Sequence, residues 1–247
     1  MRSIRSSRIL LQPQTSNLKP STCTPALGLA ISGGHTNWFD IPVYGEYHTI
    51  GQTLDDAAGE ALDKAAKLLG LGYPGGPKID KIAREYREER EREGRPLTAK
   101  DLIAFPKGRP REGVTALAGL PAELCVSFSG LKTALLRYVQ QHPALDLPLV
   151  VTSYQEAVVE AVAERTRNAL KRRAYRTLIV GGGVSLNSRL RTALAAVAAE
   201  AGVELLLAKP KYCGDNGAMI AGLAYYRRNL EGDAAMTIDA APSLQIG

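Results

Sequence analysis

Thr177-Leu-Ile-Val-Gly-Gly-Gly-Val-Ser-Leu-Asn187 decides the fold. Thr177–Val180 has the continuous apolar character of a short buried strand, Gly181-Gly182-Gly183 breaks it, and Leu190, Leu194 and Val197 then recur at helical spacing. Strand, glycine turn and helix in that order bring backbone N–H groups and the positive end of a helix to one place, a geometry that suits a phosphate-bearing ligand. An α/β protein that uses a nucleotide is the first expectation.

Two further small-residue segments repeat the signal. Leu27–Ile31 reads as a buried strand running into Ser32-Gly-Gly-His-Thr36, and Asp215-Asn-Gly-Ala-Met-Ile220 reads as the opening of a helix headed by Asp215. Trp38–Val43 and Tyr47–Ile50, with Tyr44-Gly45-Glu46 between them, complete a β-meander with the first strand. Thr53 or Asp55 is then expected to cap a helix in which Ala58, Leu62, Ala65 and Leu69 recur, with Gly70 as its stop. The opposite stripe of that helix, Asp56, Glu60, Asp63 and Lys67, has the pattern of a solvated face.

Leu71-Gly-Tyr-Pro-Gly-Gly-Pro77 is a turn poor in side chains, where a ligand can approach the backbone or a tight connection is simply made. Lys78–Arg95 predicts an exposed charged helix, after which Pro, Gly, Lys107, Arg109 and Arg111 mark either a contact to a phosphate backbone or a solvated linker. Leu124–Phe128 predicts a strand, Ser129–Thr133 the start of a helix carrying Leu135 and Tyr138, and Thr152–Arg173 a longer helix. Val203–Leu207 predicts the last strand.

Composition narrows the possibilities. A chain of 247 residues, 45% of them hydrophobic, can bury a core, and no apolar run reaches the roughly 20 residues that a membrane-spanning helix needs. Cys23, Cys125 and Cys213 form no CxxC pair, so a reducing cytosol fits better than a disulfide scaffold. The net charge of +6 favours an acidic partner, nucleic acid above all. Residues 1–39 carry no acid and are rich in Ser and Thr, which predicts an unstructured start, with an organelle-targeting segment as the alternative. No GxxxxGK[ST], GxGxxG or GxSxG motif is present, and His35, His48 and His142 have no metal-ligand spacing.

Six segments in order then become recognisable: Ala30-Ile-Ser-Gly-Gly-His-Thr36, Thr53–Lys64, Leu68–Pro77, Phe128-Ser-Gly-Leu-Lys-Thr133, Gly182–Asn187 and Asp215–Ile220. Over about residues 27–229 the chain resembles the universal tRNA N6-adenosine threonylcarbamoyltransferase family. The resemblance implies an actin-like ATPase fold of the ribonuclease H-like kind, mainly the C-terminal lobe, with residues 1–26 poorly structured and 230–247 a tail. It implies transfer of threonylcarbamoyl from threonylcarbamoyl-adenylate to N6 of the adenosine 3′ of the anticodon in tRNAs reading ANN codons. Carried over by position, Ala30, Ile31, Ser32, Gly33 and Gly34 meet the phosphate or acyl end, Asp63 the ribose, Gly76 the nucleoside face and Asn187 the adenine or ribose. Asp80 is a further ribose candidate, and Asp215 is a ligand to one Fe(2+) or Zn(2+).

The implied partners are tRNA, threonylcarbamoyl-adenylate or ATP, and a smaller actin-like paralogue with an ATPase partner. The chain departs from the family pattern in lacking much of the N-terminal lobe, and the two histidines of its HxxxH helix would fall near Ser7 and Leu11. Weak or no transfer by this chain alone is therefore expected, and a non-catalytic nucleotide- or partner-binding paralogue is the alternative.

Overall fold

Alternating side chains of Ala26–Ile31 (β1) place Leu27, Leu29 and Ile31 on a face that is fully covered. The computed structural model describes residues 22–110 and 119–226. Thr36–Ile41 (β2) and His48–Gln52 (β3) fold back in antiparallel register, Leu29 opposite Trp38 and Trp38 opposite Gly51. Thr177–Gly181 (β4) and Glu204–Leu207 (β5) add on the other side of β1 in parallel, giving the order β3-β2-β1-β4-β5. A meander joined at its first strand to a parallel pair is the α/β sheet that the actin-like expectation requires.

One face of this sheet is covered by helices Ala58–Leu68 (α1), Gly75–Arg92 (α2), Ser129–Gln141 (α3), Leu147–Leu170 (α4) and Ser188–Ala201 (α5). The core between them contains Trp38, Tyr154 and Phe128, the three largest fully buried side chains. Their polar atoms are satisfied: Trp38 Nε1 donates to Thr166 Oγ1 at 2.9 Å, and Tyr154 Oη donates to the Ala61 carbonyl at 3.3 Å. Burial pushes the Tyr154 phenol well above its usual range, so it remains a donor at all ordinary pH.

Several local expectations are corrected. Leu124–Phe128 is not a strand: Ala122–Leu124 forms a 3-10 turn, and Val126 makes a single parallel bridge with Thr53. The segment crosses the end of β3 at one residue only, because Asp55 accepts from Phe128 N–H at 2.7 Å and turns the chain into α3. That use of Asp55 also removes it as a cap of α1; the free N–H of Ala58 is met instead by Thr36 Oγ1 at 2.9 Å, from the neighbouring strand. The charged helix begins at Gly75 rather than Lys78, and the long helix at Leu147 rather than Thr152.

Asp146 is the N-cap of α4 and accepts from Leu149 N–H at 3.1 Å. Asp146→Ala is expected to lower stability by about 1 kcal/mol, the usual cost of losing such a cap, read as a shift in the urea midpoint at unchanged m-value.

The last helix, Gly217–Tyr226 (α6), starts two residues after Asp215. Its cap is Asn216, whose Oδ1 accepts from Met219 N–H at 3.2 Å, so Asp215 is an exposed residue before the helix rather than its head.

Candidate functional site

The turns that follow β1 and β4 lie side by side because those strands are parallel neighbours. Ser32 closes the first turn: its Oγ accepts from Gly34 N–H at 3.3 Å and His35 N–H at 3.1 Å. Those two bonds occupy the oxygen and leave the hydroxyl hydrogen free to turn. Gly182 closes the second turn with φ +101, and a Cβ there would lie 2.8 Å from the Ile31 carbonyl carbon.

Between these turns, α1 and α2 lies a cleft of about 500 Å³ lined by Gly33, Asp63, Gly76, Asp80 and Asn187 among others. Its walls are apolar at Leu62, Pro74, Pro77, Val184 and Leu186, and its mouth carries Tyr73, Lys81 and Arg84. Apolar walls with a few convergent polar groups are the usual build of a small-molecule site.

Each polar group owes its position to a backbone contact. Asp63 Oδ1 accepts from Gly75 N–H at 2.7 Å and Gly76 N–H at 3.2 Å, pinning the first turn of α2. Gly75 is forced by that closeness, since a Cβ would lie 2.5 Å from Ala66 Cβ, whereas a Cβ at Gly76 would meet only Leu62 Cδ1 at 3.9 Å. The backbone at Gly76 is thus open to the cleft. Asp63 Oδ2 makes no bond to a described residue and is the carboxylate oxygen left for a ligand.

Asp80 differs. Its Oδ1 accepts from Gln155 Nε2 and from Ser188 Oγ, both at 2.8 Å, and both oxygens accept from Ser188 N–H at 3.1 Å. This carboxylate binds α2, α4 and the start of α5 together behind the cleft. Beside it Glu156 joins Arg87 and Arg189, each at 2.8 Å, so the three helices share one charged lock.

Asn187 caps α5 through Oδ1, which accepts from Leu190 N–H at 2.9 Å. Its Nδ2 is buried without a partner, although the residue as a whole is only 8% exposed and lines the cleft. The amide is enclosed rather than open to the cleft, and the residue also lines a small internal void with Val158, Val159 and Leu190; an orphaned buried amide costs about 1–3 kcal/mol.

Of the remaining expected residues, Ala30, Ile31, Ser32 and Asp215 line a second hollow of about 560 Å³ beside His35, and Gly34 lines neither hollow. All the predicted residues but Gly34 therefore line two adjoining hollows rather than a single one. They meet where Ser32 is followed by Gly33 and Gly182 by Gly183. Asp215 stands there without acidic company: among the described residues no three His, Cys, Asp or Glu side chains gather. That donor set does not fit a protein-held metal. The positions near Ser7 and Leu11 lie outside the described residues.

Gly59 escaped the sequence reading. A Cβ at this position of α1 would meet the Ser32 carbonyl at 2.7 Å and Gly33 Cα at 2.8 Å, so α1 sits directly on the first turn and donates Gly59 N–H to Ser32 O at 3.2 Å. The run Ala57-Ala-Gly59 at a helix start was the available signal.

The model of the family described as tRNA N6-adenosine threonylcarbamoyltransferase matches residues 7–222. Proteins of that name from Anaeromyxobacter sp. (strain Fw109-5) and Geotalea daltonii are 45% and 43% identical over 201 residues, 80% of this chain and 54% and 53% of the relatives. One from Trichlorobacter lovleyi is 39% identical over 229 residues, 90% of this chain and 61% of the relative. The chain spans just over half the length of the curated relatives it matches. Among solved structures, the activator of the 2-hydroxyisocaproyl-CoA dehydratase from Clostridium difficile with bound ADPNP gives a TM-score of 0.43 at 14% identity, over 88% of this chain and 66% of that one.

Proposed function

This chain belongs to the tRNA N6-adenosine threonylcarbamoyltransferase family, and from that premise we propose that it binds threonylcarbamoyl-adenylate for transfer of the threonylcarbamoyl group to N6 of an adenosine in tRNA. The acceptor is the adenosine 3′ of the anticodon in tRNAs reading ANN codons. The exocyclic nitrogen attacks the carbamoyl carbon, a C–N bond forms, the C–O bond to phosphate breaks, AMP leaves and N6 gives up one proton. The lone pair on N6 is delocalised into the ring, so the reaction depends on an activated donor held in line with the acceptor.

The observation that carries this reading is the cleft itself, where the Gly76 backbone lies open and Asp63 keeps Oδ2 clear of any bond to a described residue. In the proposed pose the Asn187 side chain turns to bring Nδ2 to the adenine or ribose, Asp63 Oδ2 accepts from a ribose hydroxyl, and the nucleoside lies against Gly76. Gly33 N–H and the Ser32 hydroxyl donate to the phosphate or acyl oxygen, where negative charge grows as the bond forms. Asp80 is proposed as a positioning residue that holds the α5 end, and with it Asn187, in place. In the family reading one Fe(2+) or Zn(2+) would supply Lewis-acid chemistry with Asp215 among its ligands; the donors assembled by the described residues do not complete that site. We place the protein in the cytosol, beside a smaller actin-like paralogue and an ATPase.

Calorimetric titration with threonylcarbamoyl-adenylate and with ADP tests the cleft, and a transfer assay with unmodified tRNA, read by nucleoside mass, tests the chemistry. The expected result is saturable one-site binding of both nucleotides. Failure to bind either would remove the reading; binding without any transfer would leave a nucleotide-binding protein of the same fold.

A further inference from the structure

Away from the cleft, the loop Pro106–Arg109 and the first turns of α3 enclose a hollow of about 300 Å³, lined by Arg109, Ser129, Gly130, Thr133 and Arg137 among others, none of them acidic. Lys107, Arg109, Lys132 and Arg137 are all exposed around it. Lys107, Lys132 and Arg137 make no ion pair with a described residue, and Arg109 reaches Glu164 only at 3.5 Å with 70% of its side chain exposed. Four cations from two separate elements, with only Arg109 in an ion pair to a described residue, form a surface that attracts anions.

The loop is not a loose strap. Arg165, 3% exposed, donates to the carbonyls of Lys107 at 3.1 Å, Gly108 at 2.9 Å and Cys125 at 3.0 Å, and Gly108 O also accepts from Ser127 N–H at 3.0 Å. Gly108 adopts φ +62, with its Cα facing Ala161 so closely that a Cβ would lie 2.9 Å from Ala161 Cβ. A buried guanidinium thus fixes the backbone from which Lys107 and Arg109 project. The nearby carboxylates are engaged: Asp55 with Ser127 Oγ and Phe128 N–H, Glu164 with Arg165.

The surface also leads to the cleft. α1 packs against α3, which carries Lys132 and Arg137, and lines the cleft with Gly59, Leu62 and Asp63.

We propose that this basic surface holds the phosphodiester backbone of the RNA acceptor and guides it toward the cleft; the inference rests on the reading of the cleft given above. Arg109, Lys132 and Arg137 each neutralise a phosphate, while bases pass over the surface unread.

The test is binding of unmodified tRNA by the full chain over a salt series. The triple variant Arg109→Gln, Lys132→Gln, Arg137→Gln is compared with Arg92→Gln, Arg95→Gln, Lys100→Gln, which removes the same charge at the far end of α2. Loss of three phosphate contacts is expected to lower the slope of log K against log salt by about 2 to 3 for the first variant and to leave the second near the parent. Equal slopes in both variants, or no tRNA binding by the parent chain, would overturn the proposal. ADP binding, measured on the same samples, is expected to be unchanged; its absence from the parent would refute the cleft reading instead, so the two failures are told apart.

Discussion

Gly182→Ala is expected to destabilise the fold by about 4 kcal/mol or more. The residue adopts φ +101, where an L side chain is strained by about 1–3 kcal/mol. The new methyl would also press on the Ile31 backbone, 3.2 Å from its nitrogen and 2.8 Å from its carbonyl carbon, with no flexible side chain able to move aside. Relief requires β1 and β4 to part, and Ile31 belongs to the strand that carries the centre of the core. The combined loss should be about 4 kcal/mol or more, a large share of the stability of an ordinary domain. Gly181→Ala is the matched control, because its Cβ meets nothing within 4 Å. Urea unfolding followed by circular dichroism reads both; a Gly182 variant within 1 kcal/mol of the parent would mean that the two turns do not touch as described.

Asn187→Asp is expected to weaken nucleotide binding while the helix cap is kept. The new carboxylate can still accept from Leu190 N–H, so α5 retains its cap, but its second oxygen takes the buried place of Nδ2 without a partner, so the unfolding midpoint falls and affinity is read well below that midpoint. It cannot replace the Nδ2 donor, and it presents an oxygen where the nucleotide needs a hydrogen. Threonylcarbamoyl-adenylate affinity is expected to fall by about 10- to 100-fold, the scale of one lost and partly inverted hydrogen bond at a desolvated site. Asn187→Ala should lose the cap as well, costing about 1 kcal/mol of stability in addition. Calorimetry on both variants gives the answer: unchanged affinity in the aspartate variant would show that the orphaned amide plays no part in nucleotide binding.

The sheet was readable because its signals are local. Leu27–Ile31 and Thr177–Val180 are continuous apolar runs ended by glycines, and the meander follows from short strands separated by a turn. What escaped was set by contacts between distant segments. Leu124–Phe128 has strand composition, yet Asp55, more than seventy positions away, takes its backbone N–H and bends it into a helix. Thr53 and Asp55 look like caps, but the cap is Thr36 on an adjacent strand, which no spacing rule along one segment can reveal. Asp63 had the pattern of a solvated stripe; only the family resemblance drew it out, and its bonds to Gly75 and Gly76 give the physical reason it faces the cleft. Asp80 carried the opposite lesson, since an exposed-looking helix acid proves to be saturated by Gln155 and Ser188.

The seat of Gly59 on the Ser32–Gly33 turn has a thermodynamic consequence. Main chain rests on main chain there, so the floor beneath the ligand has no rotamers to freeze when a nucleotide arrives. Any ordering penalty must fall on the mouth, where Tyr73 is 82% exposed. Affinity differences among ligands sharing the same nucleoside should therefore be enthalpic at their buried end and entropic at the rim, a division that titrations at several temperatures would resolve.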